Sequence, residues 1–131
     1  MTEKTWQEFF ARLDEIEFEK FDLIVAIARG GVIPAGFLQQ KLNIPMQIIQ
    51  IEYRDDGHNP KHNDAKLLEE KDFTLKNKNI LLVDDVSRTG KTLNAAKKYL
   101  AGNNIKTCLV NGNGDYSFFN YDYCIKMPWK R

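Results

Sequence analysis

Ile80-Leu81-Leu82-Val83-Asp84-Asp85-Val86-Ser87-Arg88-Thr89-Gly90-Lys91-Thr92 is the stretch on which the reading of this chain turns. It opens with four apolar residues in succession, as in strands buried on both faces. The run ends in two adjacent carboxylates, passes through a short loop with hydroxyls and one glycine, and leads into a helical pattern. The spacing predicts a strand over Asn79 to Asp84 and a helix over Thr89 to Leu100. Strand, short loop and helix in that order belong to an α/β protein.

The rest of the chain extends the pattern in both directions. Upstream, Phe21-Asp22-Leu23-Ile24-Val25-Ala26-Ile27-Ala28 reads as a buried strand, broken by Arg29-Gly30-Gly31. A helix from about Ile33 to Leu42 follows, with Asn43 as its stop, and then a strand from Met46 to Tyr53. Residues Thr5 to Phe18 carry Trp6, Phe9, Phe10, Leu13 and Ile16 at helical spacing, with Thr5 and Glu8 placed for a capping box. Arg54 to Lys78 is polar, and a loop that long in a compact domain is functional or partly structured. Downstream, the turn signal Gly102-Asn103-Asn104 precedes expected strands at Ile105 to Val110 and Tyr121 to Ile125. The expectation is one domain over residues 1–131, of α/β class, with a mostly parallel sheet flanked by helices. Ligands in such sheets sit beyond the carboxyl ends of the strands. Only two strand ends carry unusual loops, 29–31 and 84–92.

Composition removes several classes of function. At 131 residues and 43% hydrophobic content, the chain supports one buried core. Mean hydropathy is −0.48, and Arg29 with Gly30-Gly31 interrupts the longest apolar stretch, so no membrane span is expected. Net charge is +1, and the lysines between Lys61 and Lys78 alternate with Asp64, Glu69, Glu70 and Asp72. That mixture gives no nucleic-acid patch. The start, Met1-Thr2-Glu3-Lys4, lacks a basic region leading into an apolar core, so a cytoplasmic location is expected. Cys108 and Cys124 lie far apart in expected strands and read as free buried thiols.

Each part of the 84–92 loop has a use. A helix N-terminus presents unpaired N–H groups and partial positive charge to an anion. Gly90 lets the backbone approach closely. Ser87, Thr89 and Thr92 supply hydroxyl donors, while Asp84 and Asp85 suit sugar hydroxyls or a hard divalent cation. Phosphate at one end and acidic oxygens at the other describe a site for a phosphorylated sugar. A Walker A loop would need glycine where Asp85 stands. A dinucleotide fingerprint at Gly112-Asn113-Gly114 would need glycine at Ser117.

Val83 to Thr92 resembles the phosphoribosyl pyrophosphate signature of type I phosphoribosyltransferases. Val25 to Pro34, centred on Arg29-Gly30-Gly31, resembles that family's pyrophosphate loop. Tyr53-Arg54-Asp55-Asp56 is placed like its mobile active-site loop, and Asp122 to Trp129 resembles the base-binding end of bacterial xanthine-guanine enzymes. The resemblance implies that Asp84 and Asp85 hold the ribose hydroxyls and the magnesium shell. It places the 5-phosphate among Ser87, Arg88, Thr89, Gly90, Lys91 and Thr92, and the pyrophosphate at Arg29, Gly30 and Gly31. Tyr123 and Ile125 fall in the base-binding end. The implied partners are phosphoribosyl pyrophosphate and a nucleobase, most simply a purine, with magnesium as cofactor and a homodimer as the assembly. The polar stretch is expected to order over bound substrate. A non-catalytic regulator that binds phosphoribosyl pyrophosphate or a nucleotide on the same fold is the alternative.

The sequence departs from the purine-salvage pattern in the acceptor half. Those enzymes usually carry Asp immediately before the Thr-Gly pair, to handle a purine proton. Arg88 stands there, and arginine is no base at neutral pH. Another group does that work, or the acceptor is not a purine, or the chain is not a catalyst. Cys124 occupies a position where an aromatic ring often stacks on the purine, leaving Tyr123 or Trp129 to replace it. A lysine that reads the purine oxygen has no clear equivalent among Asn111 to Asp115.

Overall fold

A computed structural model describes residues 2–52, 66–67 and 75–130. The elements are β1 (Thr2–Glu3), α1 (Trp6–Glu15), β2 (Leu23–Ala28), α2 (Val32–Leu42), β3 (Met46–Glu52), β4 (Lys66–Leu67), β5 (Asn79–Val86), α3 (Lys91–Tyr99), β6 (Asn104–Asn111), β7 (Tyr116–Phe119) and β8 (Ile125–Lys126). Six strands form the main sheet in the order β4-β3-β2-β5-β6-β7, and every neighbouring pair is parallel except β3–β4. The α/β class and the mostly parallel sheet expected from the apolar runs are therefore present.

Side-chain alternation sorts the core. Along β2 and β5, Ile24, Ala26, Leu81 and Val83 pack with Phe9, Leu13, Ala35 and Leu38 from α1 and α2. The intervening Leu23, Val25, Ile27, Ile80 and Leu82 pack with Leu93 and Ala96 from α3. A period of two feeding two separate apolar clusters produces a sheet covered on both faces. It also explains why these strands read as continuous apolar runs.

Helix boundaries follow from local chemistry. At the start of α1 the Thr5 side chain accepts the Glu8 N–H at 3.1 Å, and the Glu8 carboxylate accepts the Thr5 N–H at 3.2 Å, as the Thr5–Glu8 spacing predicts. The helix ends at Glu15 rather than Phe18. Lys41 of α2 donates to the Leu13 and Ile16 carbonyls, satisfying that end so that Ile16 and Phe18 turn onto the core. Asn43 terminates α2 in the left-handed conformation, φ 55°.

Two expectations need correcting. The last strand of the sheet is Tyr116–Phe119, not Tyr121–Ile125; of the latter segment only Ile125 enters a strand, β8, which pairs with β1 apart from the main sheet. Strand β7 runs parallel to β6, although only residues 112–115 connect them. Parallel neighbours ordinarily need a crossover of a dozen residues or more. Here the Asp115 carboxylate accepts the Thr107 N–H at 2.8 Å, and Ser117 Oγ donates to the Gly112 carbonyl at 2.6 Å. Gly112, at φ 147°, provides a turn that side-chain-bearing residues rarely adopt. The chain thus steps straight back to the level of Thr107. In consequence Cys108 is buried in β6 as expected, while Cys124 is exposed in a loop.

Strand β4, inside the long polar stretch, pairs antiparallel with β3. Tyr53 to Asp56 and the other positions of 53–65 and 68–74 lie outside the described residues, as does the expected ordering of that stretch. Among the described residues no helix is long and apolar enough to cross a membrane.

Candidate active site

The chain passes from β2 outward to β3, then returns across β2 to lay down β5. The direction of winding therefore reverses between β2 and β5, and a crevice opens beyond their carboxyl ends. The two unusual loops emerge side by side there, because Ala26 is in register with Val83. A Cβ at Gly30 would lie 2.3 Å from Asp85 Cγ, and one at Gly31 would lie 2.3 Å from the Val83 carbonyl oxygen. Both positions take glycine because strand ends fill the space of a side chain, the Asp85 carboxylate at Gly30 and the Val83 and Ile27 carbonyls at Gly31. Arg29 is exposed at the tip, following a cis peptide bond with Ala28.

Asp84 and Asp85 occupy the end of β5. Asp84 is buried, with its Oδ1 accepting the Asp85 N–H at 2.8 Å. Burial, with Asp85 adding to it, pushes the Asp84 carboxyl up to about 8. Asp85 is half-buried; its Oδ1 accepts the Val86 N–H at 2.8 Å, and Lys130 Nζ lies 3.7 Å from Oδ2. Two hard carboxylates fit a divalent ion such as magnesium. Among the described residues no cluster of three or more acidic, histidine or cysteine side chains completes a closed site. That donor set matches an ion shared with substrate oxygens.

The next turn forms a concavity of about 210 Å³ walled by residues 86–90 and Thr92. Gly90, at φ 78°, caps α3 without a side chain, and it lines the concavity together with Ser87, Thr89 and Thr92, so the start of the helix adjoins it. Lys91 N–H reaches Thr89 Oγ1 at 3.3 Å.

A larger cavity of about 600 Å³ lies on the other side of Asp85. Residues 85–88 form one wall, Asn111 and Gly112 the back, and residues 121–125 the facing wall. Tyr123 and Ile125 line it. Tyr123 is half-exposed and its ring lies 5.0 Å from that of Tyr121. Trp129 is not among the lining residues. It packs instead into the aromatic cluster of α1, 5.1 Å from Phe9, which leaves Tyr121 and Tyr123 as the aromatic residues on this cavity.

Sequence reasoning missed three participants. Buried Asn111 accepts the Tyr121 N–H at 2.8 Å and donates to the Tyr123 carbonyl at 3.1 Å, fixing the facing wall. An asparagine ending an apolar strand was its only signal. Asp122 lines the cavity, and Lys130 meets Asp85 from the far end of the chain. Asp122 opens the stretch likened to a base-binding end without being singled out in it, and Lys130 carries no local motif.

Comparison with known proteins agrees with this geometry. Residues 3–129 match the phosphoribosyl transferase domain family, and the chain belongs to that family. Its structure is similar to that of a purine phosphoribosyltransferase from Pyrococcus horikoshii, with a TM-score of 0.79 and 28% identity over 99% of this chain and 94% of that one. In sequence it is 33% identical to the ribose-phosphate pyrophosphokinase of Mycoplasma genitalium, over 91% of this chain and 33% of the relative. It is 40% identical to the orotate phosphoribosyltransferase of Saccharolobus solfataricus over 57% of this chain and 34% of the relative. The xanthine-guanine phosphoribosyltransferase of Idiomarina loihiensis is 24% identical over 95% and 84% of the two chains. This chain spans about a third of the length of the first two of these sequence relatives.

Proposed function

We propose that the protein is a phosphoribosyltransferase that binds phosphoribosyl pyrophosphate with magnesium and transfers the phosphoribosyl group to a nucleobase, releasing pyrophosphate. The observation that carries this reading is the meeting of the two loops, with the Gly30 backbone against the Asp85 carboxylate. It brings the exposed Arg29 guanidinium and the Gly30 backbone, suited to pyrophosphate, together with carboxylates suited to ribose and a helix N-terminus suited to the 5-phosphate in one crevice, beside a cavity large enough for a base.

The chain's own groups divide the work. Arg29, Gly30 and Gly31 take up charge on the departing pyrophosphate. Asp84 and Asp85 orient the ribose hydroxyls, and they are the residues that would hold magnesium. When bound, the ion would neutralise negative charge at the leaving group. Ser87 to Thr92 hold the 5-phosphate and so fix the sugar. Positioning and exclusion of water then favour the oxocarbenium-like transition state.

Likeness to the Pyrococcus and Idiomarina enzymes supports a purine acceptor and a place in purine salvage. A cytoplasmic homodimer is part of the same proposal, and the exposed, stacked rings of Trp6 and Phe10 supply an apolar surface for it. The second reading, a non-catalytic regulator binding phosphoribosyl pyrophosphate or a nucleotide, is favoured by one observation. Where purine enzymes carry a carboxylate, the loop presents the Arg88 guanidinium to the cavity. Incubation with phosphoribosyl pyrophosphate, magnesium and a panel of bases decides between them: pyrophosphate release establishes the enzyme, and binding without release establishes the regulator.

A further inference from the structure

Arg88 belongs to both concavities, but its side chain is committed to the larger one. Nη2 donates to Cys124 Sγ at 2.9 Å, and Cys124 lines the 600 Å³ cavity but not the phosphate concavity. The guanidinium therefore spans the acceptor side from the signature loop to the facing wall. Sulfur is a weak acceptor, and one contact to it leaves most of the five N–H donors of an arginine unused. Among the described residues no carboxylate lies within 4.0 Å of Arg88. The other charged groups lining the cavity are Asp85, which faces Lys130, and Asp122. Asn111 is occupied by its bonds to Tyr121 and Tyr123. The cavity thus contains one uncompensated planar cation, of the shape that pairs two acceptor atoms of a planar anion.

We infer that Arg88 is a specificity-determining residue that selects a nucleobase bearing a negative charge, with the charge held by the guanidinium. The charge comes from an exocyclic carboxylate or from ionisation of the ring. This inference rests on the proposed phosphoribosyl transfer and names its acceptor class. In that transfer a ring nitrogen forms a bond to the anomeric carbon, and the bond from that carbon to pyrophosphate breaks, its electron pair leaving with pyrophosphate. Any proton on the attacking nitrogen passes to water. A cation at position 88 favours the acceptor after its charge has formed, where a carboxylate there would instead accept the proton. Asp122, on the facing wall, has the same sign as the acceptor's charge, so the favourable seat for that charge is at Arg88.

The test compares acceptors under saturating magnesium and phosphoribosyl pyrophosphate. Orotate carries a carboxylate, xanthine ionises at its ring, and hypoxanthine and guanine are neutral. Wild-type protein is expected to show higher kcat/KM for orotate or xanthine than for hypoxanthine and guanine. In Arg88→Gln the ratio of charged to neutral acceptor should fall by about ten- to a hundredfold, the worth of a charge-assisted hydrogen bond. Arg88→Lys, which keeps the charge but not the fork, should restore part of that ratio. Preference for a ring-ionised base should rise with pH through the base's own pKa, whereas preference for a carboxylate should stay flat. A wild-type preference for neutral bases, or an unchanged ratio in Arg88→Gln, overturns the inference. Equilibrium binding of phosphoribosyl pyrophosphate to wild type, measured separately, reports on the proposed function itself. If transfer is absent, equilibrium binding of the same bases to wild type and Arg88→Gln applies the same ratio and the same criterion.

Discussion

Replacing Gly30 by alanine adds one methyl group where the two strand-end loops meet. Gly30 is outside the left-handed region, so the backbone itself accepts alanine and the consequence is one of space. The new Cβ would stand 2.3 Å from Asp85 Cγ and 2.4 Å from both carboxylate oxygens, whereas ordinary contact begins near 3.4 Å. The carboxylate must retreat by the difference, about 1.1 Å, leaving its bond to the Val86 N–H. Losing the charge-assisted contacts this carboxylate would make to the ligand is worth about 1.5–3 kcal/mol, on the order of a hundredfold in Kd at the upper end. At ligand about a hundredfold above the wild-type Kd, bound phosphoribosyl pyrophosphate stabilises by roughly 2.7 kcal/mol, and a hundredfold weaker Kd reduces that to about 0.4 kcal/mol. The ligand-free fold should change little. A hydrogen bond worth about 1 kcal/mol is lost, and the lower entropy of the unfolded alanine chain returns roughly 0.4–1 kcal/mol. Gly31→Ala provides the contrast, because its Cβ would meet the Val83 and Ile27 carbonyl oxygens at 2.3 and 2.9 Å. Those belong to central strands and cannot retreat, so Gly31→Ala should lower stability by about 1–3 kcal/mol without ligand. Thermal melts with and without phosphoribosyl pyrophosphate and magnesium measure both effects. A Gly30→Ala protein that keeps the full ligand-induced shift would refute the reasoning. So would an ordinary additive effect of Gly30→Ala in an Asp85→Ala background, where the collision is gone.

Asp84→Asn with Asp85→Asn should abolish the shift of roughly 2.7 kcal/mol produced by phosphoribosyl pyrophosphate while leaving the far-ultraviolet circular dichroism unchanged; an undiminished shift removes these carboxylates from the site. Because the folded-state pKa of Asp84 is raised from 3.8 to about 8, the native protein keeps a proton that the unfolded chain has released in that interval. Stability should therefore fall as pH rises through the window, by at most about 1.4 kcal/mol per pH unit, and denaturant midpoints of Asp84→Asn should lack this slope. Asn111→Ala leaves the Tyr121 N–H and Tyr123 carbonyl unpaired, and should raise the acceptor KM more than the phosphoribosyl pyrophosphate KM, with a stability loss of about 1–3 kcal/mol; equal changes in the two KM values would count against its role in the facing wall.

The legibility of this chain divides where backbone chemistry gives way to tertiary contacts between side chains. Strands β2 and β5 were readable because burial on both faces demands an unbroken apolar run, and α1 because its cap is a local three-residue device. Tyr116–Phe119 was not readable as the edge strand. Its parallel pairing depends on Asp115 reaching Thr107 and on Gly112 turning at φ 147°, a tight return that ordinary crossover lengths argue against. Misplacing that strand also misplaced Cys124, whose apolar-looking neighbourhood is a loop held from below by Asn111. The early end of α1 has the same origin, since the group that satisfies its carbonyls is Lys41, on another helix.

The same division runs through the site. The ribose-phosphate half is built from glycines, helix-terminal N–H groups and adjacent carboxylates, and these positions are constrained by their immediate neighbours in sequence. Such a half can be read from thirteen residues in a row. In the acceptor half, residues 85–88, Asn111 and the loop 121–125 converge from three separate segments, and what it recognises depends on which side chains happen to project inward. Arg88 links the two halves. Its place in the signature loop assigns it to the phosphate, while its bond to Cys124 turns it into the acceptor cavity. Under the proposed function, one residue of the signature loop whose side chain is aimed elsewhere can redirect the choice of acceptor without disturbing the backbone that would hold the sugar. On the proposed reading of Arg88, that separation of roles makes the charge of the acceptor, rather than its ring system, the property this cavity would read.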